Sequence, residues 1–312
     1  LGTNNNIDVH KTIMDNVTEV VCAEDNCCVI TNLGTTRCTG LNTNGQLGDG
    51  STTNSNVYVD VVGLTDVIQL SVGGGFACAL NSYKQVYCWG GNEFGQLGNG
   101  TNDESHTPVL VAGLGDVEEI SATYKHTCAR LTGAGIMCWG LNDEGQLGVG
   151  DFDPRNIPVY VKASSSTVVT GNIISISTGM YMSCFVNAAN VGKCWGKNNV
   201  GQCGCGDFNA VKQYPCTNVA NNAVKIACGV STCSVILNTG NVRSWGYNAN
   251  GQVGDGSTTN RNTPQGLTIP YNAIDFYGTS GHFLYISNTS NIMGVGSNNT
   301  NQLDVGDKLD RT

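Results

Sequence analysis

The sequence predicts an all-β fold, a single β-propeller of four-stranded blades. Three observations carry that prediction: a nine-residue core that recurs at a nearly constant interval, a composition of turn formers, and a match between the two ends of the chain at the same period. The core is Asn-x-x-Gly-Gln-x-Gly-x-Gly, seen as "NTNGQLGDG" from Asn42, "NEFGQLGNG" from Asn92 and "NDEGQLGVG" from Asn142. It returns as "NNVGQCGCG" from Asn198, "NANGQVGDG" from Asn248 and, degraded, "NNTNQLDVG" from Asn298. The start-to-start intervals are 50, 50, 56, 50 and 50 residues, a period that belongs to propellers or solenoids. Glycine supplies 42 of 312 residues and proline 6, which suits tight turns between short strands better than long helices.

The strands follow in order within each interval. "VIQLSVGGGFACAL" (Val67 to Leu80) alternates apolar and small residues across a glycine turn and predicts two antiparallel strands. "QVYCWG" after the turn "NSYK" gives a third, and "HTPVLVAGL" after the glycine loop gives a fourth, with Pro108 placed at a strand start. Four strands in one interval make a blade. The repeats run at approximately 3–52, 53–102, 103–152, 153–208, 209–258 and 259–308, all within one domain, 1–312.

At the ends, "TNNNIDVHKTIMDNVTEV" from Thr3 matches "TNSNVYVDVVGLTDVIQL" from Thr53. The N-terminal segment therefore supplies the strand that the last repeat lacks, and pairing of the two ends closes the ring and removes its sheet edges. The opening "LGTNNNIDVH" has no initiator methionine, basic region or apolar stretch and suggests a processed or excised chain.

The "CWG" to "GQLGxG" phrases at Trp89, Trp139, Trp195 and Trp245, with the "HTC" turn at His126 and Cys128, resemble the regulator of chromosome condensation repeat family across essentially the full chain. The best-known members of that family have seven blades, whereas six repeats are counted here. The sixth core departs most from the pattern. Val295 stands where tryptophan is expected, and Asn301 and Asp304 stand where glycine is.

Glycines at Gly45, Gly95, Gly145, Gly201 and Gly251 allow a left-handed backbone in the core loops. The repeated Gln46, Gln96, Gln146, Gln202, Gln252 and Gln302 offer amides to the same loops. A calcium loop is the rival for "NTNGQLGDG", but the later copies vary the oxygens such a site needs, so no metal is expected. Tryptophan, repeated at one phase in four of the six repeats, is an inter-blade packing anchor.

Fifteen cysteines sort by spacing. Cys28 and Cys38, Cys78 and Cys88, Cys128 and Cys138, and Cys184 and Cys194 are ten apart and flank the hairpin between second and third strands, where opposed residues lie close enough to bridge. Cys22 with Cys27, and Cys228 with Cys233, clip the turn between first and second strands. Blade five has Ser234 or Val235 and Ser244 instead of the ten-apart pair. Of the remaining three, Cys205 is assigned to Cys216, with Cys203 the alternative, as a staple of the fifth blade's outer loop. A thiolate metal site at "CGC" lacks the usual knuckle spacing and fourth ligand. A disulfide ladder of this kind belongs to an oxidising compartment, extracellular or on the cell surface.

Nothing catalytic is legible: no nucleophile elbow, P-loop, HExxH or dinucleotide fingerprint occurs, and no cofactor is expected. His126 and His282 share one phase of the repeat and are read as turn-stabilising groups. A net charge of −9 repels nucleic-acid backbones, and no run of about 18 apolar residues is present to enter a membrane. The sequons at Asn16, Asn99, Asn288 and Asn298 are no more than the Asn, Ser and Thr content produces by chance.

Binding residues belong where the repeats disagree. The first-to-second-strand turns "AEDN", "GGGF", "TYKH", "GMYM", "GVST" and "TSGH" all fall on one face of the ring. Phe76, Tyr124, Lys125, Met180, Tyr181 and Met182 occupy three successive turns and form a candidate protein-binding rim, or else fill the channel mouth. The insertion "KASSSTVVTGN" (Lys162 to Asn172) is a solvated loop, or a functional protrusion.

The sequence thus points to a secreted, non-catalytic interaction propeller with an unidentified protein or glycan partner. Self-assembly into an extracellular layer or filament is the alternative. The resemblance implies two more roles: enzyme inhibition, as in the secreted beta-lactamase inhibitor protein of this fold, and guanine-nucleotide exchange on a small GTPase. Acidity and the cysteine ladder oppose the last. Thiol titration of the denatured, unreduced protein should find a single reactive thiol, the other fourteen cysteines appearing only after reduction.

Overall fold

The computed structural model describes residues 14–23, 25–133, 135–216, 219–267, 272–278, 281–298, 303 and 309–312. Every regular element among them is a strand. They form six antiparallel sheets arranged as the blades of a six-bladed propeller, each with its strands in chain order. Blade 2 serves as the pattern, with strands Val67–Val72, Phe76–Asn81, Val86–Gly90 and Ser105–Leu110.

The period dictates which residues are buried. The second strand lies in the middle of its blade and all six of its residues from Phe76 to Asn81 are buried. The first strand alternates, and the fourth is the exposed outer edge. Pro108 lies inside that fourth strand rather than at its start, which an edge strand tolerates because a missing N–H costs no ladder bond there. Pro158 and Pro264 hold the same place in blades 3 and 5.

Two repeated contacts weld blade to blade. In the first, each tryptophan donates its indole N–H to a carbonyl in the preceding blade's core loop. Trp89 reaches Gln46 O at 3.0 Å, Trp139 reaches Gln96 O at 2.9 Å, Trp195 reaches Gln146 O at 2.9 Å and Trp245 reaches Gln202 O at 3.0 Å. All four rings are fully buried. The glycine after each Gln-x pair makes room: a Cβ on Gly98 would lie 2.7 Å from Trp139 Nε1, and one on Gly148 would lie 2.6 Å from Trp195 Nε1. In blade 6, Val295 and Leu267 fill the corresponding space against Gly254.

The second contact runs along the inner strands. Gln69 of blade 2 accepts from Ile120 N at 2.9 Å and donates to Ile120 O at 3.0 Å. Glu19 accepts from Leu70 N, Glu119 from Ile176 N and Ser175 from Ile226 N. Two residues on, Ser71 accepts from Ala122 N at 2.7 Å, Ser121 from Thr178 N at 2.9 Å and Ser177 from Cys228 N at 2.9 Å. Between blades 5 and 6 the link is the ion pair Lys225–Asp275. Between blades 6 and 1, Tyr277 Oη donates to Cys22 O at 3.1 Å, across 255 residues of sequence.

Three features of the fold differ from the sequence reading. The fourth strand of blade 4 is replaced by two short pieces, Val211–Lys212 and Ala220–Asn221, both paired with Val191–Lys197. The Cys205–Cys216 bond lies at that edge, so it staples blade 4 and not the fifth. The insertion Lys162–Asn172 joins blade 3 to blade 4 and is not wholly solvated: Lys162 bridges Val168, and Val169 is buried. The N-terminal strand expected to close the ring lies outside the described residues, as do Asn301, Gln302 and Asp304. On the C-terminal side Gly296 bridges Arg311, the position where fourth strands begin at Ser105 and Arg261 in other blades. Leu303 N still donates to Asn298 Oδ1 at 2.8 Å, so the degraded core keeps the bond found in the other five.

Gly98→Ala should destabilise the protein by about 2–4 kcal/mol, combining left-handed strain with displacement of Trp139. Gly256→Ala, at φ +78° with nothing within 4 Å of the added Cβ, should cost only about 1–2 kcal/mol in the same urea titration.

Candidate functional site

The two kinds of loop that vary between blades share one face of the ring. Each first-to-second-strand turn is bonded to the core loop of its own blade: Leu41 N to Asp25 O, Gly91 N to Gly75 O, Leu141 N to Lys125 O and Lys197 N to Tyr181 O, all at 2.9–3.0 Å. The loops are also set internally. Asn142 Oδ1 accepts from Leu147 N, its amide donates to Asp151 O and Asp153 O, and Gln146 Oε1 accepts from Glu144 N. Asn and Gln are thus committed to the loops' own backbone, as structural turns require.

On this face opens a central cavity of about 530 Å³, lined by residues of all six blades, with Val72, Ala122, Met180, Val230 and Phe276 giving it an apolar wall. Tyr124 stands at its lip in a left-handed conformation, φ 51°, in a two-residue turn with Lys125. Its ring meets that of Tyr181 edge to face with centroids 5.2 Å apart. Lys197 Nζ lies 4.9 Å from the centre of the Tyr181 ring and 2.5 Å from Glu144 Oε1. Burial first, then the hydrogen bond with Tyr124 and the nearby Asp143 and Glu144 carboxylates, pushes the Tyr181 phenol up to about 12. Both tyrosines, Lys125 and Met180 are partly exposed, so the structure brings these four together on the rim.

Phe76 and Met182 do not belong with them. Both are fully buried, because each opens the second strand of its blade and points between blades, the column also held by Asn26, His126 and Thr232. The Phe76 ring lies where a Cβ on Gly73 would have to go.

His126 is also an inter-blade group. Its Nε2 is 2.9 Å from Ser183 Oγ, which donates in turn to Gln146 O, the acceptor of the Trp195 indole. Complete burial lowers its pKa to about 3, so the ring is neutral, with the proton on Nε2 assigned by Ser183's own donation. His282 lines the central cavity.

The bonds Cys22–Cys27, Cys28–Cys38, Cys78–Cys88, Cys128–Cys138, Cys184–Cys194, Cys205–Cys216 and Cys228–Cys233 are present, and Cys203 is a free buried thiol. Burial pushes that thiol far above its ordinary range, which keeps it unreactive. Cys184, Cys228 and Cys233 cluster with sulfurs 3.4 and 3.7 Å apart, but all three are oxidised and offer no thiolate to a metal.

The sequence matches the RCC1-like domain over residues 1–312. The chain belongs to that family. No curated protein sequence matches it. Among solved structures, the RCC1-like propeller is similar to human WBSCR16 with TM-score 0.77 and 22% identity, covering 87% of this chain and 72% of that one. It is similar to Prp20p of Saccharomyces cerevisiae, whose binding to Gsp1p and histones is known, with TM-score 0.74, 21% identity and coverages of 86% and 67%. The ectodomain of the Physcomitrella patens receptor kinase CR4 gives TM-score 0.55 and 19% identity, with coverages of 90% and 64%. At these identities the RCC1-like fold is what is shared.

Because folded His126 refuses a proton that the unfolded chain accepts below pH about 6.5, stability should fall with acidification by about 1.4 kcal/mol per pH unit from that group. Half-buried Glu19 and Glu119, whose pKa values desolvation raises, act in the opposite direction. The difference between wild type and His126→Asn, followed by urea unfolding at pH 7 and pH 5, should therefore isolate about 2 kcal/mol of acid lability lost in the variant.

Proposed function

We propose that this chain, taken as one propeller domain over 1–312, is a non-catalytic extracellular interaction module that binds a protein partner through the rim of Tyr124, Lys125, Met180 and Tyr181. The observation that carries the reading is the Tyr124–Tyr181 pair, two partly exposed rings locked edge to face on loops that hydrogen bonds hold rigid. Rigid aromatic groups with a cation alongside lose little entropy on binding and supply the area that dominates protein interfaces. Beside them the channel mouth offers an apolar recess for a partner side chain.

Seven disulfides within one chain favour an oxidising compartment, and the receptor ectodomain among the structural neighbours is compatible with it. Protein binding is also the activity of Prp20p, towards Gsp1p and histones. A net charge of −9 argues against contact with a nucleic-acid backbone, whereas a basic protein partner suits it.

Affinity capture from extracellular fluid of the source, followed by binding of the captured protein to Tyr124→Ala/Tyr181→Ala, should show a loss of about tenfold or more with little change in melting temperature. Unchanged binding together with a large loss of stability would assign the two rings to channel filling instead. Accelerated GDP release from a small GTPase would move the reading to nucleotide exchange.

A further inference from the structure

Beside the rim, between blades 1 and 2, lies a second cavity of about 240 Å³. It owes its existence to "GGG" at Gly73–Gly75, the turn of blade 2, which has no side chain where other blades carry Tyr124–Lys125 or Met180–Tyr181. Gly74 N is bonded to Tyr124 O at 2.8 Å, which pins the bare turn flat and leaves a notch above it. The walls are unlike those of the central cavity. Blade 1 contributes Asp25 and Asn26 from its turn and Thr43, Asn44 and Gln46 from its core loop, while Tyr124 and Lys125 close the far side.

These groups share a chemistry. Asp25 and Asn44 present a planar carboxylate and a planar amide, each able to engage two adjacent hydroxyls at once, whereas Gln46 Oε1 is already taken by Asn44 N; the Tyr124 ring lies over Gly74 as an apolar wall. Asn26 is 5% exposed, and its amide nitrogen has no hydrogen-bond partner among the described residues. Its column-mate His126 finds one in Ser183 of the next blade, and the position equivalent to Ser183 in blade 2 is Ala77, which has no polar atom on its side chain. An unanswered buried donor is costly, and a ligand oxygen in the notch would answer it.

We propose that this notch is a binding subsite for one neutral sugar unit of a glycan, its vicinal hydroxyls held by Asp25 and Asn44 and its C–H face turned to Tyr124. At about 240 Å³ it has room for a single ring and falls below the size of drug-like sites. No other blade interface combines the parts: the residues at the places of Asp25 and Asn44 are Gly75 and Phe94 in blade 2, and Lys125 and Glu144 in blade 3. The notch shares Tyr124 and Lys125 with the protein-binding rim, but its polar contacts come from the blade 1 side chains Asp25 and Asn44, whose substitution tests it apart from that reading.

The intact protein is screened on a glycan array, and the terminal sugar of the retained glycans is titrated as its methyl glycoside by calorimetry. The expected result is a dissociation constant of about 1 mM, typical of a dozen-atom ligand. Asp25→Ala and Asn44→Ala should each weaken it at least about tenfold with unchanged melting temperature, whereas Tyr181→Ala should leave it intact. Retention of no glycan overturns the proposal. So does binding confined to polyanionic glycans and abolished by salt, which would mark Lys125 as a mere charge contact, or binding indifferent to both substitutions.

Discussion

The inner strand of each blade has a free edge facing the channel, and a row of backbone N–H groups on it has no strand to pair with. In this protein the preceding blade answers them with side chains. Glu19, Gln69, Glu119 and Ser175 serve one level, and Ser71, Ser121 and Ser177 the next. The two levels are two residues apart because a strand presents the same edge every second residue. Blades 2 to 5 are therefore each completed by the preceding blade, and they cannot tilt independently without exposing these donors, whereas in blade 6 the equivalent Phe276 N is answered by Asp275 of the same strand. The tryptophan-to-carbonyl bonds do the same farther from the axis, tying third strands to core loops. Ring geometry follows from these two contacts more than from any one blade's own packing.

Rigidity of the ring is what gives the loop face its meaning. Turn and core loop are bonded within a blade, and blades are bonded to one another, so Tyr124 and Tyr181 meet across a blade boundary at a defined angle. The same frame positions the empty space of the glycine turn beside them. One face thus carries an aromatic lip, an apolar channel mouth and a polar notch side by side. The opposite mouth differs: exposed Ile68, Ile174 and Val224 surround the Glu118–Arg130 ion pair there.

The disulfides reinforce what the hydrogen bonds arrange. Four join second to third strands at the same register, and in blade 5 that register is filled by Ser234 and Ser244, whose hydroxyls lie 2.7 Å apart with Tyr285 of blade 6 completing the cluster. A polar bridge takes the covalent one's place, so the ladder position is kept even where the sulfur is not. The Cys184 and Cys228–Cys233 sulfurs touch across the boundary of blades 4 and 5, where they pack as apolar atoms.

Periodicity alone determined the blades, the strand order and the roles of the repeated Asn, Gln, Gly and Trp, because those residues act on neighbours at a fixed sequence offset and so leave a repeating mark. The cysteine spacing was legible for the same reason, opposed hairpin positions being a fixed distance apart along the chain. What the chain could not show from spacing was the direction of side chains at the turn. Phe76 and Met182 share a stretch of sequence with Tyr124 and Tyr181, yet one step along a strand turns a side chain from solvent to core, and only the packed neighbour decides which. Comparing the column Asn26, Phe76, His126, Met182, Thr232 would have hinted at burial. The walls of the notch, the Lys197 contact and the bond from Tyr277 to Cys22 each join residues from different blades, so only the packing of one blade on the next, and for Tyr277 the closing of the ring, brings them together.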